Sequence, residues 1–178
     1  MAQLSLFSSL PTPHDATRHA VGEPTTDRLP VYRVPIYRVA LIREAARTIP
    51  APRLRSSQHA AALLRQYLGA VDREHFVVVL LDRKNAPIGI NTVSIGSLTA
   101  SIVQMREVFK PAILANAAAL ISCHNHPSSG DPTPSREERA VTQRLVEAGK
   151  LLDIPVLDHL ILGDGTTAYF SFADQELL

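Results

Sequence analysis

The chain has 178 residues, 46% of them apolar, enough for one ordinary domain with a sizeable core and a tail. Its net charge of +1 points by itself to no polyanionic partner, and a single cysteine, Cys123, excludes an internal disulfide framework and fits a reducing compartment. The N-terminus has no early Lys or Arg and no long apolar run, so no secretory signal is expected. No stretch is long enough to span a bilayer, and the expectation is a soluble cytoplasmic protein.

Residues 1–30 are rich in Ser, Thr, Pro and Asp with little periodicity, which predicts a flexible tail. Within it Gln3-Leu4-Ser5-Leu6-Phe7 is a short apolar cluster. Residues 31–55 form an arginine-rich arm: from Arg28 to Arg65 there are eight arginines, no lysine and one acid, Glu44. Such a stretch forms either a solvated basic surface or a face for an acidic partner. Val31 to Ile42, interrupted by Pro35, predicts an edge strand or an extended arm.

Ser57 is placed to cap a helix whose Ala60, Leu63, Leu64, Tyr67 and Leu68 share a face, with Gly69 ending it. Phe76 to Leu81 is fully apolar and valine-rich, a buried strand. Arg83-Lys84-Asn85-Ala86 makes a turn, and Ile88 to Ile95 closes a hairpin. Arg106 to Ala118 reads as a helix with Pro111 near its first turn. Ala119 to Cys123 is another buried strand, followed by a loop over Pro127 to Pro134. Ser135 to Ala148 forms an amphipathic helix with Val141, Leu145 and Ala148 inward, stopped by Gly149. Ile154 to Leu162 and Ala168 to Phe172 are the last strands, joined through Gly163 and Gly165. Strands interleaved with helices predict an α/β sandwich with a mixed sheet.

The segment richest in chemistry is Ser122-Cys123-His124-Asn125-His126-Pro127, at the end of a buried strand. Strand residues two apart point the same way, so His124 and His126 can aim both imidazoles at one point, with Cys123 on the opposite face. Two neutral imidazoles suit zinc, and a third ligand from Glu137 or Glu138 on the next helix would leave one position for water, the catalytic arrangement. Ser135-Arg136-Glu137-Glu138 also fits a capping box, in which Glu138 bonds back to the Ser135 backbone.

The run His124-Asn125-His126-Pro127-Ser128, followed by Gly130-Asp131-Pro132-Thr133-Pro134-Ser135, resembles the signature of the RadC family, within the wider JAMM (MPN-type) metalloprotease group. Glu74-His75-Phe76, Ser94-Ile95-Gly96-Ser97-Leu98, Arg106-Glu107-Val108-Phe109-Lys110 and Asp158-His159-Leu160 resemble further family blocks, and the likeness covers residues from about 56 to the end. It implies a JAMM/MPN-like, cytidine-deaminase-like three-layer domain holding one zinc ion. His124 and His126 match the histidine ligands, Ser135 the serine and Glu74 the glutamate that acts as general base.

Two departures from the wider pattern stand out. Eight residues separate His126 from Ser135, one more than the pattern's seven, and the acidic ligand is Glu instead of Asp. Counting from Ser135 gives Glu138 and counting from His126 gives Glu137. Asp131-Pro132-Thr133-Pro134-Ser135 fixes the helix start and favours Glu138. His159 is either a residue supporting the metal ligands from behind or a hydrogen-bonded core histidine.

The resemblance implies a zinc-dependent hydrolase of peptide or isopeptide bonds linked to DNA replication or repair, the alternative being a non-catalytic adapter for a DNA-maintenance partner. A metal-dependent nuclease has no paired carboxylates to support it. Gln3, Leu4, Leu6 and Phe7 resemble the peptide by which bacterial proteins dock on the DNA sliding clamp, the other reading being a tail folded on its own domain. Longer RadC members carry a helix-hairpin-helix region. No glycine lies between Gly22 and Gly69 here, so that unit is expected to be missing and DNA contact to be indirect or through the arginine-rich arm.

Overall fold

The computed structural model describes residues 35–45, 53–96, 103–127 and 130–178. All regular elements among them lie in the compact unit Val39–Leu178. They run α1 (Ser57–Leu68), β1 (His75–Leu81), β2 (Pro87–Ile95), α2 (Met105–Leu114), β3 (Ala119–His126), α3 (Arg136–Leu151), β4 (Val156–Gly163) and β5 (Tyr169–Ser171).

The five strands form one sheet in the order β2-β1-β3-β4-β5. β1 pairs antiparallel with β2 and β3, β3 parallel with β4, and β4 antiparallel with β5, so the sheet is mixed. The central strands are apolar on both faces because both are covered. Val77, Val79, Leu81, Ile121, Cys123 and Leu160 pack with Ala60, Leu63 and Leu64 of α1. Phe76, Val78, Leu80 and Leu120 pack with Val108 and Phe109 of α2 and with Val141 and Leu145 of α3. The result is a three-layer α/β domain with α1 on one face and α2 and α3 on the other.

Several element boundaries differ from expectation, and for three of them, all at helix ends, the local reason is plain. The α1 cap is Ser56, whose Oγ accepts from the His59 N–H, while Ser57 Oγ donates to Asp174 Oδ2 at 2.5 Å. α2 ends at Leu114, with Pro111 in its interior and not its first turn. Asn116 takes a left-handed φ of 51°, and the Ala117 N–H returns to the Ala112 carbonyl and Asn116 N–H to Ile113, closing the helix before Ala118. α3 runs through Gly149 to Leu151. Gly149 is not a stop signal there: a Cβ on it would sit 2.7 Å from the Ile154 carbonyl, so glycine is required for close packing, and the reversal falls to Asp153 at φ 55°.

Residues 35–42 of the arm form no strand; their side chains are exposed and Pro35 has no N–H to give a ladder. The core reaches into the predicted arm at Leu54, which is buried and donates its N–H to the Asn85 carbonyl. The clamp-like residues Gln3, Leu4, Leu6 and Phe7 lie outside the described residues. No described helix is long and apolar enough to cross a membrane.

Candidate metal centre

β3 ends where the loop into α3 begins, and this parallel crossover places the first turn of α3 beside the carboxyl end of β3. His124 and His126 share the α3 face of the strand. His124 Nε2 lies 3.0 Å and His126 Nε2 3.1 Å from Glu138 Oε1, with the two nitrogens 3.2 Å apart. The three residues form a group able to hold a metal ion, and it draws on Glu138, not on the exposed Glu137. Cys123 faces the opposite core, its thiol pushed well above its ordinary pKa by burial, and takes no part.

Glu138 belongs both to the capping box of α3 and to the group able to hold a metal ion. Its Oε2 accepts from the Ser135 N–H at 2.6 Å, and Ser135 Oγ accepts from the Glu138 N–H at 3.2 Å, a complete capping box. Its Oε1 is thereby turned to the imidazoles. Burial acts to raise the Glu138 pKa, but both imidazoles and the Ser135 N–H outweigh it and hold the carboxyl well below the usual carboxylate range. Burial pushes His124 below its ordinary value against the opposing pull of Glu138, whereas the hydrogen bond to Glu138 raises His126 despite partial burial.

Glu138→Asp restores the acid of the wider JAMM pattern yet is expected to weaken metal binding about tenfold, because one methylene less cannot reach both the Ser135 N–H and the imidazoles. Chelator competition measures this; unchanged affinity would show that the two oxygens need no such division of labour.

The outer partners orient the ligands. His126 Nδ1 lies 2.7 Å from the Asp131 carbonyl, which can only accept, so Nδ1 carries the hydrogen. The Asp131 carboxylate fixes that loop by accepting from the Thr133 N–H at 2.9 Å and the Thr133 hydroxyl at 2.7 Å. His159 meets His124, with Nε2 3.0 Å from His124 Nδ1, and is buried between Phe76 and Phe172. It thus meets the cluster from behind, at the second ring nitrogen of His124. Its neighbour Asp158 serves the C-terminal segment instead, accepting from Ser171 Oγ at 2.6 Å and the Ala173 N–H at 3.0 Å.

Glu74 precedes β1, remote in sequence from the other site residues. β1 pairs Phe76 with His124, so two residues earlier Glu74 falls level with His126, and its charge acts on both imidazoles. Asn125 pins the chain around it: Oδ1 accepts from the His75 N–H at 2.8 Å and Nδ2 donates to the Arg73 carbonyl at 3.2 Å. The Gly96 N–H holds the Glu74 carbonyl at 2.9 Å. Ser135 stands exposed at the rim.

Asn125 and Gly163 escaped the sequence reading. Asn125 enters the sequence reading only as part of the His124-Asn125-His126-Pro127 run, with no role of its own. Gly163 looks like a turn glycine, but it pairs with His126 in the sheet, and a Cβ on it would fall 2.1 Å from the Gly130 carbonyl. Gly163→Ala is expected to displace the loop carrying the Asp131 carbonyl and weaken metal binding by about tenfold or more. A metal dissociation constant equal to that of the wild type would contradict this.

The donor set fits a divalent metal. One carboxylate oxygen and two imidazole nitrogens converge, with the outer nitrogens of both rings held by partners. The fold and this centre define a JAB-type α/β domain. Residues 54–177 match the family described as RadC-like JAB domain, and the chain belongs to that family.

The UPF0758 protein of Rubrobacter xylanophilus is 50% identical over 133 residues, 75% of this chain and 57% of that protein. That of Moorella thermoacetica is also 50% identical, over 76% of this chain and 58% of its own length. That of Caldanaerobacter subterraneus subsp. tengcongensis is 56% identical over 62% of this chain and 47% of its own. The chain thus spans about half the length of these relatives.

Proposed function

We propose that the chain is a zinc-dependent hydrolase of peptide or isopeptide bonds. The observation that carries this reading is the convergence of His124 Nε2, His126 Nε2 and Glu138 Oε1 within 3.0–3.2 Å of one another, with the charge of a second carboxylate, Glu74, acting on both imidazoles. Two imidazoles and one carboxylate are the ligand set of a catalytic zinc site, which keeps a place for water. The ion, when bound, supplies Lewis acidity that makes water a nucleophile near neutral pH.

Glu74 takes a proton from the attacking water and returns it to the departing amine, so that water and amide yield a carboxylate and an amine. Ser135 Oγ accepts from the Glu138 N–H, which leaves the hydroxyl hydrogen to donate to the substrate carbonyl oxygen as it gains charge. Such a donor contributes about 3 kcal/mol where it is well placed.

The test is zinc content by elemental analysis together with digestion of a peptide library read by mass spectrometry. Cleavage that a chelator abolishes and zinc restores is expected. A zinc-loaded protein that cleaves neither peptides nor isopeptide-linked conjugates would leave the adapter reading, supported by the Glu138 substitution and the longer loop. Docking on the bacterial DNA sliding clamp through Gln3, Leu4, Leu6 and Phe7, and with it a cytoplasmic role in replication or repair, belongs to the same proposal. Loss of clamp binding on deleting residues 3–7 tests it.

A further inference from the structure

At the end of the sheet away from the metal centre lies a groove of about 810 Å³. Its walls are Asp82 after β1, Ile113 near the close of α2, Leu152 and Asp153 after α3, and Leu157 at the start of β4. The sheet register sets its place: Leu81, beside the groove, pairs with Ala119, whereas Phe76 pairs with His124 at the metal end. Three large apolar side chains reach water there, Ile113 at 52% exposure, Leu152 at 40% and Leu157 at 37%. Among the described residues, two carboxylates, Asp82 and Asp153, outnumber the one cation on the wall, Arg83. The carboxyl end of α2 has no basic residue in its last turn and adds partial negative charge. The groove is apolar and anionic.

The same chain carries a segment of matching chemistry. Ile36, Tyr37, Val39, Leu41 and Ile42 of the arm are all exposed, Ile36 at 99% and Ile42 at 86%. Arg38 and Arg43 lie among them, and Glu44 is the one acid between Arg28 and Arg65. Drawn out as a strand, Tyr37, Val39, Leu41 and Arg43 share one side, three apolar groups followed by a cation. The β-branched and aromatic residues of the segment suit that extended form. So continuous an apolar exposure marks a contact surface.

We infer that the chain forms a two-fold dimer by exchanging arms, residues 36–43 of each copy lying in the groove of the other. Tyr37, Val39 and Leu41 cover Ile113, Leu152 and Leu157, and Arg43 meets the carboxylates of Asp82 and Asp153. In the single chain the arm side chains stay exposed, so its own groove does not shield them. The chain's path supports exchange with a second copy. The arm rejoins the domain at Leu54, whose N–H donates at 2.9 Å to the carbonyl of Asn85, itself on the groove wall. Each arm therefore springs from beside a groove, and residues 44–54 reach at most about 36–40 Å. Two copies set groove to groove about a two-fold axis bring each arm root next to the other groove, and one contact then serves both directions. The inference is independent of the metal and of hydrolysis.

Sedimentation of the whole chain in the micromolar range should show a dimer. Leu41→Asp, on the exposed arm, should raise the dimer dissociation constant about a hundredfold or more, because a symmetric contact is lost twice. Ile113→Lys should do the same from the groove side. Residue 113 is half-exposed near the carboxyl end of α2, where lysine suits the helix, and both variants should keep the wild-type far-ultraviolet spectrum. Mixing Leu41→Cys chains with Leu157→Cys chains should give a disulfide between chains that neither gives alone, Cys123 being buried. A wild type that sediments as a monomer, a dimer indifferent to either substitution, or a disulfide that forms only within a chain carrying both cysteines overturns the exchange.

Discussion

Glu74→Gln is expected to retain bound zinc while losing turnover by about 10²–10⁴-fold, the usual contribution of a positioned general base. Glutamine keeps the shape and hydrogen-bonding reach of the side chain but has no basic oxygen for the water proton. The three groups able to hold the metal are untouched, so the metal content should stay at one ion per chain. The backbone around residue 74 is fixed independently of its side chain, by Asn125 on both sides and by Gly96, so the substitution should not move the strand entrance. Elemental analysis alongside chelator-sensitive peptide hydrolysis checks both halves. Wild-type turnover in Glu74→Gln would remove Glu74 from the mechanism, and loss of the metal would make it a ligand.

His124→Ala is expected to abolish metal binding, a loss of more than about a hundredfold, because removing a ligand exceeds the 10–100-fold typical of its outer partners. His124 is fully buried, stacked on Phe76 and bonded to His159, so truncation also leaves a void and an unpaired ring nitrogen on His159. Some loss of melting temperature is therefore expected as well. His126→Ala, at a half-buried position with the same ligand role, separates the two effects: it should lose the metal with a smaller drop in stability. Full zinc occupancy in both variants would place the metal elsewhere and remove the basis of the hydrolase reading.

The departures from the wider JAMM pattern now have a physical interpretation. Glutamate at 138 reaches two targets at once, Ser135 N–H through Oε2 and the imidazoles through Oε1. The loop before it is held by the Asp131 and Thr133 turn and delivers a backbone carbonyl to His126. A longer side chain and a longer loop thus meet at one set of atoms.

Much of this was legible in local sequence. The valine-rich run over Phe76–Leu81 could only be a strand covered on both faces, and the two-residue spacing of His124 and His126 set both rings on one side of β3 with Cys123 on the other. Ser135 fixed the phase of α3 and hence the choice of Glu138 over Glu137. These are short-range properties: strand period, helix phase and capping chemistry depend on residues within one turn or two.

What only the tertiary structure decided are the long-range pairings. Sequence could nominate Glu74 but could not bring it level with His126, because that depends on the register of β1 against β3. Nor could it tell that Asn125 spans to Arg73 and His75, that Gly163 is small to admit the Gly130 carbonyl, or that Gly149 continues a helix it was expected to end. A glycine in a string of letters shows its freedom to turn, whereas its lack of a side chain matters only when another backbone has been brought against it.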